Sequence, residues 1–438
     1  MSGKAEAGKA TSVARKIAII CGLELAAVAL MLLGALAPPV RDNLQLTATT
    51  VQLMVTSWPA VAGVKPVEHL EPLRPDLIAD IKPDIARMSG GVTFVTGLFD
   101  DRLTARLIDA TGKIIHEWPI DFFKEKKDKL YPFEALIHGE YLYANGDILI
   151  NLDQKGIYRV DACGKVLWSN ESGSHHSIDV DEKRFIWTPT VAVNYQDKRL
   201  FPAPFSIDRI GRFDPETGRE LETIDLVDAL VDSGVEGLAS AENSRTKDAL
   251  HINDVEILSS AMAPAFPMFK AGDILVSSRQ RNTVFVLDRE TKHVKWMRTG
   301  ATQFQHDPDF EADGSISILD NRGSEIALPG TNWLGDRGGS RIISVRPDAF
   351  EYKTLFQSDE RTQFYTPRRG RHQRLDNGNI LITETDAGRA FEVTPEGDVV
   401  WQYVNRYNAN EVGWLMSAAR YPASYASIGK TCPPQKAD

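Results

Sequence analysis

The decapeptide Asp109-Ala-Thr-Gly-Lys-Ile-Ile-His-Glu-Trp118 is a turn followed by a β run that ends in Trp. Asp and Gly so close together mark a tight turn: the Asp side chain accepts from backbone N–H groups just beyond it, and Gly takes a positive φ without strain. The unit returns as Asp161-Ala-Cys-Gly-Lys-Val-Leu-Trp168, as Asp214-Pro-Glu-Thr-Gly-Arg-Glu-Leu221 and as Asp288-Arg-Glu-Thr-Lys-His-Val-Lys-Trp296. It returns again as Thr394-Pro-Glu-Gly-Asp-Val-Val-Trp401, and a weaker copy opens at Arg346-Pro347-Asp348. Each interval has room for about four short strands, and self-similarity at such a period is the mark of a propeller. The sequence therefore predicts an all-β fold, a six-bladed β-propeller over residues 89–410. A β-sandwich does not explain why one turn unit should recur six times.

A second feature recurs in phase with the first. His306, in Gln305-His306-Asp307-Pro308-Asp309-Phe310, opens a predicted strand, and the next strand ends in Leu319-Asp320-Asn321. His138, His176, His251 and His372 stand at equivalent places ahead of β runs. In a propeller the first strands of the blades converge on one axis, so these histidines should meet at one mouth of the channel. His175 is read as pointing away. His69, His116 and His293 are out of phase and receive no role. Asn253 lies two residues after His251, on the same face of a strand by alternation. Arg279 ends the run Val276-Ser277-Ser278, Arg281 follows it, and Arg368, Arg369 and Arg371 lead into His372. The whole chain carries a formal charge of −10, yet this mouth is expected to be positive and to draw in a small anion. The aromatic residues Phe304, Phe310 and Trp333 are candidates to flank it, with core packing as the alternative.

The rest of the chain reads as an address. Lys4, Lys9, Arg15 and Lys16 precede Ile17–Ala37, a 21-residue apolar run broken only by Gly and Glu24. That length spans a bilayer, and the basic flank stays inside. The run is read as a transmembrane anchor for a single-pass membrane protein, because Pro38 follows the only plausible cleavage triplet. Residues 1–16 are then a cytoplasmic tail, 38–88 a Pro-rich stalk, 89–410 a periplasmic or extracellular propeller, and 411–438 a C-terminal tail. Outside the cell's reducing interior Cys163 and Cys432 are either disulfide-linked or two free thiols. No long basic block appears, which argues against nucleic acid as a partner.

His-x-Asn, Ser-Ser-Arg, Gln-His-Asp, a Leu-Asp-Asn strand end and Leu375-Asp-Asn-Gly-Asn379, in that order over roughly 90–410, resemble the bacterial arylsulfate sulfotransferases. The resemblance implies a six-bladed propeller that moves a sulfuryl group from an aryl sulfate ester to a phenolic acceptor, without a nucleotide sulfate. No Walker-type phosphate loop is present, which agrees. It further implies that His306 carries the sulfuryl group transiently, with His251, Asn253, Arg279 and His176 as catalytic partners. His372, Asn321 and Arg281 are expected to bind substrate. No metal and no cofactor is expected. The chain departs from the family pattern at His372, in an apolar insertion over 259–271, and in its anchor-like N-terminus. Three other readings are weighed: a quinoprotein-like propeller, for which no acidic cluster is evident; a histidine-bound metal; and a non-catalytic, membrane-tethered propeller that binds a small anion or a protein partner.

Overall fold

In the computed structural model, which describes residues 69–78, 82–120, 135–153, 155–195, 205–239, 248–323, 334 and 337–432, the recurring turns all fall at one structural position. Each joins the third and fourth strands of a four-stranded antiparallel sheet, and there are six such sheets. Blade 2 comprises Ile137–Leu142, Ile148–Leu152, Gly156–Val160 and Val166–Asn170; blade 3 comprises Asp179–Val180, Ile186–Tyr195, Phe205–Phe213 and Glu220–Asp225. Blade 4 comprises Ile252–Ile257, Ile274–Ser278, Thr283–Leu287 and Val294–Thr299; blade 5, His306–Phe310, Ile316–Asp320, Arg341–Val345 and Tyr352–Gln357; blade 6, Arg371–Arg374, Ile380–Glu384, Arg389–Val393 and Val399–Val404. Blade 1 takes Val92–Phe99, Arg102–Ile108 and Ile114–Pro119 from the start of the propeller and its inner strand, Leu415–Tyr421, from the end. The all-β, six-bladed expectation holds.

The turn unit works as its composition suggests. Asp161 Oδ1 accepts from the backbone N–H of Cys163 and of Lys165, and Asp288 Oδ1 from those of Glu290 and Thr291. The terminal Trp does something else: it latches neighbouring blades. Trp118 Nε1 donates to Gly146 O in blade 2, Trp168 Nε1 to Pro215 O in blade 3, and Trp401 Nε1 to Ala110 O in blade 1. Trp118 and Trp401 are fully buried. Each thus adds a satisfied N–H to a large apolar contact. The second and third strands of most blades are buried on both faces because they are packed on two sides. That explains apolar runs without alternation such as Ile148-Leu149-Ile150 and Ile380-Leu381-Ile382.

Two boundaries move. The propeller does not end at 410: Leu415–Tyr421 pairs with Val92–Phe99 and closes the ring. Beyond it the 3-10 helix Ala423–Lys430 buries Ile428 against Gly146, and Cys432 is disulfide-bonded to Cys163 with Cα atoms 5.5 Å apart. Nor do all of residues 38–88 behave as a free stalk. Leu70–Pro72 pairs with Glu411–Gly413, Leu77 is buried, and Arg74 forms buried ion pairs around Glu384. The expected tail, anchor and first part of the stalk, residues 1–68, lie outside the described residues. Among the described residues no helix is long and apolar enough to cross a membrane.

The disulfide ties the last segment to blade 2 across a separation of 269 residues. Cys432→Ser should lower the unfolding free energy by about 2–4 kcal/mol. A thermal melt in non-reducing buffer checks this, and reductant should then leave the variant unchanged while destabilising the parent.

Candidate active site

The inner strands begin at one end of the channel, and the histidines meet there. The ring centroids of His138 and His176 are 3.8 Å apart, and those of His176 and His251 are 5.0 Å apart. His138, His176, Asn253, Asp254, His306, Asp307, Arg369, Gly370, Arg371 and Met416 line a cavity of about 20 Å³, roughly room for one water. Regular strands would not produce this crowding. His176, His251 and Asp307 have φ near +57°, +50° and +54°, a region that costs non-glycine residues energy and recurs at functional sites. Register shifts mark the same places: Ile137/Gly139, Ile252/Asp254 and His306/Asp309. A bulge re-aims the side chains around it. Asn253 therefore reaches the cavity through a bulge, not by the alternation the sequence suggested. Gly139 is required for a related reason: a Cβ there would sit 2.1 Å from the His176 carbonyl oxygen.

The three cavity histidines, and His251 packed against His176, are held from behind in two different ways. His138 Nδ1 lies 3.2 Å from Asp153 Oδ1, and His251 Nδ1 lies 2.7 Å from Asp248 Oδ2. His176 Nδ1 meets His175 Nδ1 at 2.7 Å, and His175 Nε2 is 3.2 Å from Asp208 Oδ1. Each of these three thus has a carboxylate directly or one ring behind it. His306 has an amide. Its Nδ1 is 2.8 Å from Asn321 Oδ1 and 3.0 Å from Phe304 O. Asn321 Nδ2 donates to the Thr366 and Arg369 carbonyls, both at 2.6 Å, so its oxygen is the end facing His306. Two acceptors on Nδ1 fix the proton there and leave Nε2 as a bare lone pair. Burial holds His306 well below the ordinary imidazole range, reinforced by Arg279, His138 and His251 and only partly opposed by the Asn321 bond. The ring is a neutral base at neutral pH. Burial likewise holds His176 well below the ordinary range and lowers His138 against its Asp153 bond.

Arg279 is nearly buried and lies over the Phe304 ring, 4.4 Å from its centroid. Arg369 stacks on Trp414 at 4.2 Å and pairs loosely with Asp386 at 3.7 Å. Asn253 Nδ2 donates to Gln305 O, while its Oδ1 is buried with no hydrogen-bond partner. Gln305 itself is structural, bonded to Ser277, Ser278, Thr283 and Thr302.

Several expectations change here. Asn321, expected to bind substrate, has no exposed surface, and its side chain is bonded to His306 and to the Thr366 and Arg369 carbonyls. The His372 side chain is wholly enclosed, with Nδ1 on Asp307 and Nε2 on Ser317 Oγ at 2.7 Å. Arg281, like Arg279 and His251, is outside the cavity lining; Arg279 and His251 lie near enough to act on the His306 ring, whereas burial lowers the pKa of Arg281 against the attraction of Asp248. Phe310 packs in the core against Phe266 of the 259–271 insertion, at the far end of the inner strand from His306. Trp333 lies outside the described residues.

The mouth is not simply positive either. Asp254 and Glu256 of blade 4 and Asp307 and Asp309 of blade 5 run down adjacent inner strands, with Glu311 just beyond the second, an acidic cluster the sequence did not reveal. Burial beside Asp307 pushes Asp254 up to about 8, and burial lifts Glu256 and Asp309 well above the carboxylate range. Asp307 keeps its charge through His372 and Arg371. Two groups bring three potential metal ligands within 4.8 Å of one another: His138, Asp153 and His176, and Asp307, Asp309 and His372. In the first, His138 Nδ1 is bonded to Asp153 and His176 Nδ1 to His175, and in the second both His372 nitrogens are bonded; we read them as hydrogen-bonded sets. A roomier groove of about 710 Å³ opens between blades 3 and 4 at the opposite end. Of its four cations, Arg212, Arg289 and Lys292 converge on Glu222.

Fold and site together define a β-propeller with a buried, low-pKa imidazole and nearby cationic and amide groups at the start of its inner strands. A family model described as arylsulfotransferase (ASST) matches residues 139–406. The chain belongs to this arylsulfotransferase family and carries its transferase domain. A search of the curated proteins finds no match. Among solved structures, a protein of unknown function from Bacteroides caccae is 12% identical, with 75% of this chain and 98% of that chain covered and a TM-score of 0.48. Kuenenia stuttgartiensis hydrazine synthase is 10% identical, with 73% and 79% covered and a TM-score of 0.43. Virginiamycin B lyase from Staphylococcus aureus, in a catalytically inactive form with quinupristin, is 10% identical, with 67% and 86% covered and a TM-score of 0.37. Likenesses this distant carry no argument about chemistry.

At pH 6.5, nitrogen-15 NMR of the histidine rings should show His306 neutral, protonated on Nδ1 and bare on Nε2. Arg279→Met should raise its pKa, since a nearby cation disfavours the charged ring. A His306 ring half protonated at that pH contradicts the assignment.

Proposed function

We propose that the protein transfers a sulfuryl group from an aryl sulfate ester to a phenol, through a sulfohistidine on His306 and without a nucleotide sulfate. The observation that carries this reading is the buried His306 ring, its Nδ1 held by the Asn321 and Phe304 oxygens and its pKa lowered by burial and by Arg279. A buried imidazole fixed in one tautomer is a competent nucleophile toward a transferable group. By analogy with phosphoryl transfer, charge in a loose transition state gathers on the three equatorial oxygens. Arg279, Arg369 and the donor histidines stabilise it in a site with little water. His251, held by Asp248 at the rim, gives a proton to the departing phenoxide and later takes one from the acceptor phenol. Phe304, under Arg279, offers an aromatic surface to the entering ring. Arg369, held by stacking and a loose ion pair, is the side chain we assign to admitting the substrate.

The address belongs to the same proposal. A basic flank before an apolar run at 17–37 favours an anchored protein with its propeller outside the cytoplasm, and the Cys163–Cys432 disulfide suits an oxidising compartment. Protease protection in spheroplasts tests the orientation: a shielded propeller overturns it.

The activity test is a chromogenic aryl sulfate with added phenol. The enzyme should show a burst of released phenol and then acceptor-dependent turnover. His306→Ala should abolish both, and Arg279→Ala should slow transfer by about two to three orders of magnitude. A full burst in His306→Ala removes the mechanism.

A further inference from the structure

We propose that His175 and Asp208 are a buried positioning pair that sets His176 as a hydrogen-bond donor to the group held over His306. This rests on the sulfuryl-transfer reading of the site. The sequence placed His175 on the far side of the strand. The positive φ of His176 brings both rings to one side instead, with centroids 4.9 Å apart at 82°.

The protons follow from the contacts. Two Nδ1 atoms at 2.7 Å share one proton, because two lone pairs would repel. His175 Nε2 lies 3.2 Å from Asp208 Oδ1, an ion-pair contact outside good hydrogen-bond geometry, and we place its proton on the side of that carboxylate. Asp208 is itself anchored, since its other oxygen accepts from Ile252 N across the boundary between blades 3 and 4. If His175 is doubly protonated, its Nδ1–H donates to His176 Nδ1, and His176 is left with Nε2–H facing the cavity. A neutral imidazole in that tautomer is an effective donor to developing negative charge.

Charge placement agrees. Burial alone would lower His175, but the Asp208 carboxylate, with Asp153 and Asp248 further off, raises it above the ordinary value. The His138 ring is the other titratable group within its influence. His176 stays neutral, held down by burial and by its histidine neighbours. The sign of the pH dependence follows. As pH rises through the raised pKa, His175 keeps Nε2–H toward Asp208 and loses its Nδ1 proton. His176 must then donate from its own Nδ1, and its Nε2 turns a lone pair toward the sulfuryl oxygens. Transfer should therefore fall on the alkaline side.

Histidine-labelled enzyme at pH 6 should show His176 protonated on Nε2 and bare on Nδ1 by nitrogen-15 NMR, exchanging to the opposite tautomer as pH rises. His175→Ala should lower kcat about 10- to 100-fold with little change in KM. His175→Asn puts an amide N–H where Nδ1 lies but does not titrate; it should keep transfer within a few-fold and lose the alkaline decline. Asp208→Asn should move that decline to lower pH. His176 protonated on Nδ1 at every pH overturns the proposal, and so do parental rate and pH profile in both His175 variants. An enzyme that turns over no aryl sulfate would end the sulfuryl-transfer reading, while the tautomer measurement still decides the role of the pair.

Discussion

Closure of the ring by Leu415–Tyr421 against Val92–Phe99 is the constraint on which the site depends. Only a closed ring holds the starts of the inner strands close enough for imidazoles from blades 2, 3, 4 and 5 to share one axis. Crowding polar rings out of water is costly unless each polar atom finds a partner. Here every Nδ1 in the set has one, from Asp153, His175, Asp248 or Asn321. Packing supplies proximity, and the groups behind the rings decide what each ring is.

That division follows from charge. A carboxylate behind an imidazole favours its protonated form; an amide fixes a tautomer without adding charge. The ring backed by an amide is His306, next to Arg279, which further disfavours protonation. The carboxyls further down the inner strands, Asp254, Glu256 and Asp309, are pushed toward neutrality by burial and by one another. They therefore add less negative charge beneath the site than their number suggests.

Much of this was legible because its causes are local. An Asp–Gly turn is set by its own side chain, so the six hairpins and the phase of the histidines could be read directly. Leu415-Met-Ser-Ala-Ala-Arg-Tyr421 could not be read as a blade strand, because its partner is distant and no turn unit announces it. Asn321 and His372 stand at strand ends that look like channel positions. Bulges and the left-handed residues His176 and Asp307 turn the neighbouring side chains, and pattern alone does not reveal such bulges. The same departure from alternation hid the contact between His175 and His176. The insertion at 259–271 stays clear of the site and caps the other end of blade 4 with Phe266 and Phe269.

The central claim is a covalent bond from His306 Nε2 to sulfur. It is tested most directly by treating the protein with an aryl sulfate in the absence of acceptor, quenching at high pH to protect the acid-labile N–S bond, and mapping the modified peptide by mass spectrometry. The account predicts one added sulfuryl group on the peptide containing Gln305-His306-Asp307, discharged by a phenol. A sulfuryl group on His251 or His176, or none on any histidine while transfer proceeds, would contradict it.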